Sequence, residues 1–158
     1  MARELLIVWA GRHQRDAWEE LCAHYRRRIA RVVPVRDLPV RARRGGEGRA
    51  RRRAEGEALR AVLPEPCFTV ALDREGEALS SEELARRFAR RRREWPHAIA
   101  FLVGSDLGLD PPLLAAARER LSLGGLTLPH ELARLVLYEQ LYRALSIEAG
   151  IDYHRASL

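Results

Sequence analysis

The chain contains no lysine and no asparagine, and all 28 of its basic residues are arginine. Without lysine there is no Walker A loop, so nucleoside-triphosphate chemistry of that kind is excluded. Cysteine occurs only at Cys22 and Cys67, in no C-x-x-C pair and no histidine-spaced metal pattern. Such usage points to a reduced, cytoplasmic protein without a metal site. No G-x-G-x-x-G, H-E-x-x-H or G-x-S-x-G occurs either, which removes the fingerprints of dinucleotide binding, zinc peptidases and serine hydrolases. No apolar run reaches the length of a membrane span, and Leu5 to Ala10 is too short and too sparsely flanked by positive charge for a signal peptide.

What is present describes a globular protein. At 158 residues the chain fits a single domain over residues 1–158, large enough to bury roughly 70% of its unfolded surface. Apolar residues are 47% and charged residues 32%, with no low-complexity tract. A net charge of +6 favours a polyanionic partner such as nucleic acid. Complete arginine-for-lysine usage with no asparagine is also what a GC-rich genome imposes, so the charge is weaker testimony than its size suggests. Guanidinium groups nonetheless pair phosphate bidentately and stack on bases.

Hydrophobic periodicity divides the chain into alternating strands and helices. Leu5 to Val8, followed by Gly11, suits a buried strand. From Asp16, a candidate cap, Trp18, Leu21, Cys22, Tyr25 and Ile29 recur at helical spacing. Val32 to Leu38 reads as a second strand closed by Pro39, and Arg41 to Arg53 is rich in arginine and glycine. A second helix is expected over Arg51 to Val62 and a third strand over Phe68 to Leu72. Ser80 and Glu83 form a capping box for a helix turning Leu84 and Phe88 inward and Arg86, Arg87 and Arg90 to Arg93 outward, ended by Pro96. Ala98 to Val103 is a nearly all-apolar fourth strand. Pro111 and Pro112 suit the first turn of the next helix. Leu126 to Leu128 reads as a brief fifth strand. Pro129 opens a helix reaching about Ala149, whose Leu132, Leu135, Val136, Leu137, Leu141 and Leu145 spread over more than one face and call for a second covering surface, such as a partner protomer. The alternation implies an α/β layered domain with a mostly parallel sheet, and general rules would leave it unknotted.

Several features carry possible chemistry. Gly104 and Gly108 mark a turn after the fourth strand, at the strand ends where open α/β sheets bind ligands, and by themselves equally suit an ordinary tight turn. Tyr153, His154 and Arg155 close the chain as either a solvated tail or a functional one, followed by Ala156 to Leu158. His130 and Arg134 share a helix face, as do Glu139 and Arg143, which read as an intrahelical or interprotomer ion pair. His13, His24 and His97 read as surface histidines.

Taken in order, Thr69-Val70-Ala71-Leu72-Asp73, Gly76 with Ser80-Ser81-Glu82, Leu102-Val103-Gly104-Ser105-Asp106-Leu107-Gly108, Leu126-Thr127-Leu128-Pro129-His130, Glu139-Gln140-Leu141-Tyr142-Arg143-Ala144 and Tyr153-His154-Arg155 resemble the RlmH family of SPOUT-class RNA methyltransferases. The likeness spans nearly the whole chain. It implies a layered α/β/α homodimer with a C-terminal trefoil knot that methylates N3 of a pseudouridine in large-subunit ribosomal RNA from S-adenosylmethionine. It implies that the cofactor lies bent among three loops, here Leu72, Gly104, and the run Leu123, Gly124, Gly125, Leu126, Thr127, Leu128. His130 and Arg134 would line the substrate side. In the tail, His154 or alternatively Tyr153 would take the N3 proton, and Arg155 would neutralise a phosphate or the developing anion. Where the family commonly has a second glycine after Gly104, this chain has Ser105, followed by Asp106. In-line positioning for methyl transfer can supply about 7 to 11 kcal/mol, while a placed base adds about 10²- to 10⁴-fold, so positioning is the larger effect. The competing function is a non-catalytic RNA-binding or ribosome-associated protein of the same fold. A DNA-binding role lacks any helix-turn-helix pattern.

Overall fold

The computed structural model describes residues 1–41 and 46–155. Among these, strands and helices alternate as β1 (Leu5–Ala10), α1 (Ala17–Ile29), β2 (Val35–Val40), α2 (Gly48–Ala61), β3 (Cys67–Ala78), α3 (Ser81–Glu94), β4 (Ala98–Val103), α4 (Pro111–Ala116), β5 (Glu119–Ser122) and α5 (His130–Ala149). Side chains alternate between the two faces of a strand, and both faces of the central strands are apolar. Leu5, Ile7 and Trp9 of β1 and Ile99, Phe101 and Val103 of β4 therefore meet Cys22, Phe88, Leu137 and Leu141 from α1, α3 and α5. Leu6, Val8, Ala100 and Leu102 face the opposite way, against Leu59 of α2 and Leu113 of α4. The result is the expected α/β/α layering around one sheet, ordered β2-β1-β4-β3-β5, with every pairing parallel.

Local signals behave as their chemistry dictates. Asp16 accepts the Glu19 amide at 2.9 Å and caps α1. Ser80 and Glu83 close both bonds of a capping box on α3. Pro111 and Pro112 occupy the first turn of α4. No helix of the described residues is long and apolar enough to cross a membrane.

Several expectations need correction, among them the third strand, which runs Cys67–Ala78 and not only Phe68 to Leu72. The second strand begins at Val35, not Val32, because the amides of Val32 and Val33 still bond back to the Ile29 carbonyl at 2.9 and 3.0 Å and finish the end of α1. It also runs through Pro39 to Val40, since β2 is an edge strand and one side of it needs no donor. The fifth strand is Glu119–Ser122, not Leu126 to Leu128. That earlier segment takes the place beside β3, which leaves the Leu-Thr-Leu run with no neighbour to pair and Leu126 81% exposed. Arg92 points inward, because it stands four residues after the buried Phe88 and shares its face. Its Nη1 donates to Glu148 Oε2 of α5 at 2.8 Å, which matches the charge.

The second helix starts at Gly48, a turn earlier than expected, and of the Arg41 to Arg53 stretch residues 42–45 lie outside the described residues, as do 156–158. Helix α5 packs on α1 and α3 as well as the sheet. Neighbours within the chain thus cover Leu137, Leu141 and Leu145, while Leu132, Leu135 and Val136 stay half-buried.

Candidate active site

Beyond the carboxyl ends of β4 and β5 the chain turns, and beside these turns β3 breaks its register with β5 between Leu72 and Glu77; the three segments wall one open cavity of about 1180 Å³. Each residue assigned to the cofactor loops from the resemblance lines it: Leu72 within β3, at a break in its register with β5 rather than in a loop, Gly104 after β4, and Leu123 through Leu128 after β5. Asp73 and Glu75 line it too, as do Ser105 and Asp106. The β4 turn is closed on itself. Ser105 pairs with Gly108, whose amide donates to the Ser105 carbonyl at 2.9 Å and whose φ of +74° favours glycine. Gly104 permits the crossing, since a Cβ there would stand 2.6 Å from the Gly108 carbonyl carbon.

The lining suits a mixed ligand. Leucines and bare glycine backbone offer apolar contact and amides, and the carboxylates of Asp73 and Glu75 offer acceptors. Ligand pockets run from about 300 to 1,000 Å³, so this cleft has room for a nucleoside-sized cofactor and part of an acceptor.

His130, at the start of α5, lines this cavity and also a neighbouring groove of about 700 Å³ that includes Trp9, Arg12, Trp18 and Arg51. Arg134, one turn later, lines only the groove. Its guanidinium lies 4.1 Å from the centre of the Trp9 ring and donates to Asp37 Oδ2 at 2.8 Å and to Glu19 Oε2 at 2.7 Å. Sequence reasoning missed this cluster. Asp37, its side chain 4% exposed, also accepts from Trp9 Nε1 at 2.7 Å and from the Tyr138 hydroxyl, and Arg26 stands 3.5 Å away. Burial pushes the Asp37 carboxyl up, but Arg134 and the Tyr138 and Trp9 donors outweigh it and hold it below the usual carboxylate range. Burial and the same carboxylate drive the Tyr138 phenol upward, so it stays a donor. His13 is not a lone surface histidine, since its Nε2 lies 2.8 Å from Asp37 Oδ1. His13, Glu19 and Asp37 bring ligand atoms within 4.8 Å of one another, yet Arg134 and Arg26 already balance the two carboxylates.

The structure does not bring the tail to the cleft of its own chain. Arg143 forms the intrahelical pair with Glu139, Nε to Oε1 at 3.0 Å, and its Nη1 donates to His154 Nδ1 at 3.1 Å. Arginine can only donate. Nδ1 is therefore the acceptor, and Nε2 carries the hydrogen given to Glu82 Oε1 at 2.8 Å. Held this way, the ring has no lone pair free for another proton. The Tyr153 hydroxyl donates to Glu139 at 3.2 Å, and burial together with Tyr25 and Glu139 raises its pKa above the ordinary phenol value. Arg155 is exposed, 3.9 Å from Asp152. A 20-residue helix spans about 30 Å, and α5 has His130 at one end and the tail at the other.

Comparison with known proteins agrees with this architecture. The family described as "Predicted SPOUT methyltransferase" matches residues 4–154. The chain is 40% identical over 152 residues to ribosomal RNA large subunit methyltransferase H of Solidesulfovibrio magneticus, covering 96% of this chain and 99% of that protein. It is 45% identical over 164 aligned residues to the protein of the same name from Rubrobacter xylanophilus, covering 98% and 99%. A third, from Stenotrophomonas maltophilia, is 43% identical over 137 residues, covering 85% and 87%. With the family matched across almost the full length and the layered parallel sheet that carries it, this chain belongs to the SPOUT methyltransferases.

Proposed function

We propose that this chain methylates N3 of a pseudouridine in large-subunit ribosomal RNA, on assembled ribosomes in the cytoplasm, with S-adenosylmethionine as donor. The observation that carries this reading is the cleft in which the irregular part of β3 and the turns after β4 and β5 meet. The substrate class follows the names of the relatives, and the net charge of +6 suits a ribosomal surface. The knot implied by the resemblance belongs to the same reading.

S-adenosylmethionine supplies an electrophilic methyl group when bound. Leu72, the Gly104 turn and Leu123 to Leu128 would hold it through backbone groups and apolar contact, with Asp73 and Glu75 as acceptors. His130, at the border of cleft and groove, would meet the acceptor nucleotide. Arg134 serves this site as a support rather than a contact, because Asp37 and Glu19 hold its guanidinium. His154 would take the N3 proton on Nδ1 once Arg143 releases that atom, with Tyr153 as the alternative and Arg155 offsetting the charge.

The length of α5 supports a homodimer in which the tail of one protomer serves the cleft of the other, because a chain cannot reach its own cleft from about 30 Å away without unpacking. Leu132, Leu135 and Val136 give a second copy apolar surface to cover.

The test uses ribosomes from a strain lacking the endogenous enzyme, labelled S-adenosylmethionine, and mass spectrometry of the RNA. Methyl label is expected on one pseudouridine. His154→Ala should lose about 10²- to 10⁴-fold in turnover with cofactor binding spared, and normal turnover would remove His154 from the role of base. Mixing this variant with one defective in cofactor binding should restore activity if tails are exchanged between protomers. Absence of cofactor binding by the wild-type protein would favour the non-catalytic RNA-binding alternative.

A further inference from the structure

The turn after β4 is gripped from outside the cleft by one helix. Ser105 Oγ donates to Glu55 Oε2 at 2.7 Å and accepts from the Leu107 amide at 3.2 Å. Arg51, one helical turn before Glu55 on α2, donates from Nη2 to Asp106 Oδ1 at 2.6 Å. Residues four apart on one helix face thus hold two consecutive residues of the cavity wall.

The two grips are unequal. The Arg51 and Asp106 side chains are 41% and 68% exposed, and water weakens such a pair. The Glu55 side chain is only 12% exposed. Its helix comes close because the next residue is Gly56, where a Cβ would stand 2.8 Å from Asp110 Cβ. Glu55 does not line the cleft; it reaches the cleft wall through Ser105, while its own helix lines the neighbouring groove.

We infer that Glu55 is a positioning residue for methyl-donor binding: by accepting the Ser105 hydroxyl hydrogen it locks the β4 turn in the form that walls the cleft. The inference rests on reading that cleft as the donor site. Ser105 links three bonds, the one to Glu55 and those from the amides of Leu107 and Gly108. Removing the Glu55 carboxylate frees the hydroxyl to rotate and lets the turn sample other shapes. Affinity then falls by the fraction of time the binding-competent shape is held.

Calorimetric titration with S-adenosylmethionine, together with amide hydrogen exchange at Leu107 and Gly108, tests this. Glu55→Ala should weaken the donor about 5- to 10-fold through that lost fraction, and speed exchange at Leu107 even without donor. Glu55→Gln should bind nearly as well as wild type, since its amide oxygen accepts the same hydrogen bond. Glu55→Ala combined with Ser105→Ala should be no weaker than Ser105→Ala alone, because both remove one interaction. Unchanged binding in Glu55→Ala, additive losses in the double variant, or a Gln variant as weak as the Ala variant would each overturn the role alone. Wild-type protein that takes up no donor would overturn the reading of the cleft, and this role with it.

Discussion

Gly104→Val is expected to abolish S-adenosylmethionine binding while leaving the protein folded. The β-carbon of any residue here would lie 2.6 Å from the Gly108 carbonyl carbon, 2.8 Å from its oxygen and 2.9 Å from the Leu109 amide nitrogen. These are backbone atoms, so no side chain can swing aside and the turn itself must open. Leu109 is part of the core beneath, and Gly108 lines the cleft. The strain therefore moves the wall that would hold the cofactor. Overpacking of this kind costs about 1 to 3 kcal/mol, well inside the 5 to 15 kcal/mol that typically stabilises a domain, so circular dichroism should be unchanged. Gly104→Ala should fall between the two. Calorimetry of the valine variant should show no saturable heat, and a titration matching wild type would refute the placement of the cofactor.

The largest loss of stability is expected from Asp37→Ala. That change leaves Arg134 with a side chain 4% exposed and strips the Tyr138 hydroxyl and Trp9 Nε1 of their acceptor. Breaking a buried pair from one side costs about 3 to 5 kcal/mol. Urea unfolding measures it directly. Asp37→Leu combined with Arg134→Met should lose less than Asp37→Ala alone, because no uncompensated charge remains. The acid limb offers a second check. The folded carboxyl titrates below its unfolded value of about 3.9, so its contribution is complete above that value and disappears as pH falls through the lower, folded one. Wild type should therefore lose stability in acid more steeply than Asp37→Ala. Parallel acid limbs would mean that Asp37 is not the anchor described.

Much of the fold is legible in the sequence because local chemistry and tertiary demand coincide there. The capping box at Ser80, the proline pair at 111 and 112, and the apolar runs of β1 and β4 each have one physical solution. Where two solutions compete, local pattern misleads. Leu126-Thr127-Leu128 alternates like a strand, but strand formation needs a neighbour, and the more polar Glu119–Ser122 segment has already taken the place beside β3. Arg92 carries a charge that suggests solvent, yet helix geometry puts it beside Phe88 and an acid on α5 makes that tolerable. The loops of the cleft were legible only through resemblance, since a glycine turn alone has many uses. The Asp37 cluster was not legible at all, because its members, from Trp9 to Tyr138, lie up to 129 positions apart and meet only through the strand order. Arg134 illustrates the gap: its spacing from His130 is visible in the chain, whereas the direction of its guanidinium is set by Asp37.

That cluster also ties distant parts of the chain into one cooperative unit. Asp37 and Arg134 are 97 positions apart, so the carboxylate gains its full set of donors only when α5 docks on α1 and the edge of the sheet. Water consequently leaves that corner of the sheet in the same step that seats the helix, and neither side dries without the other.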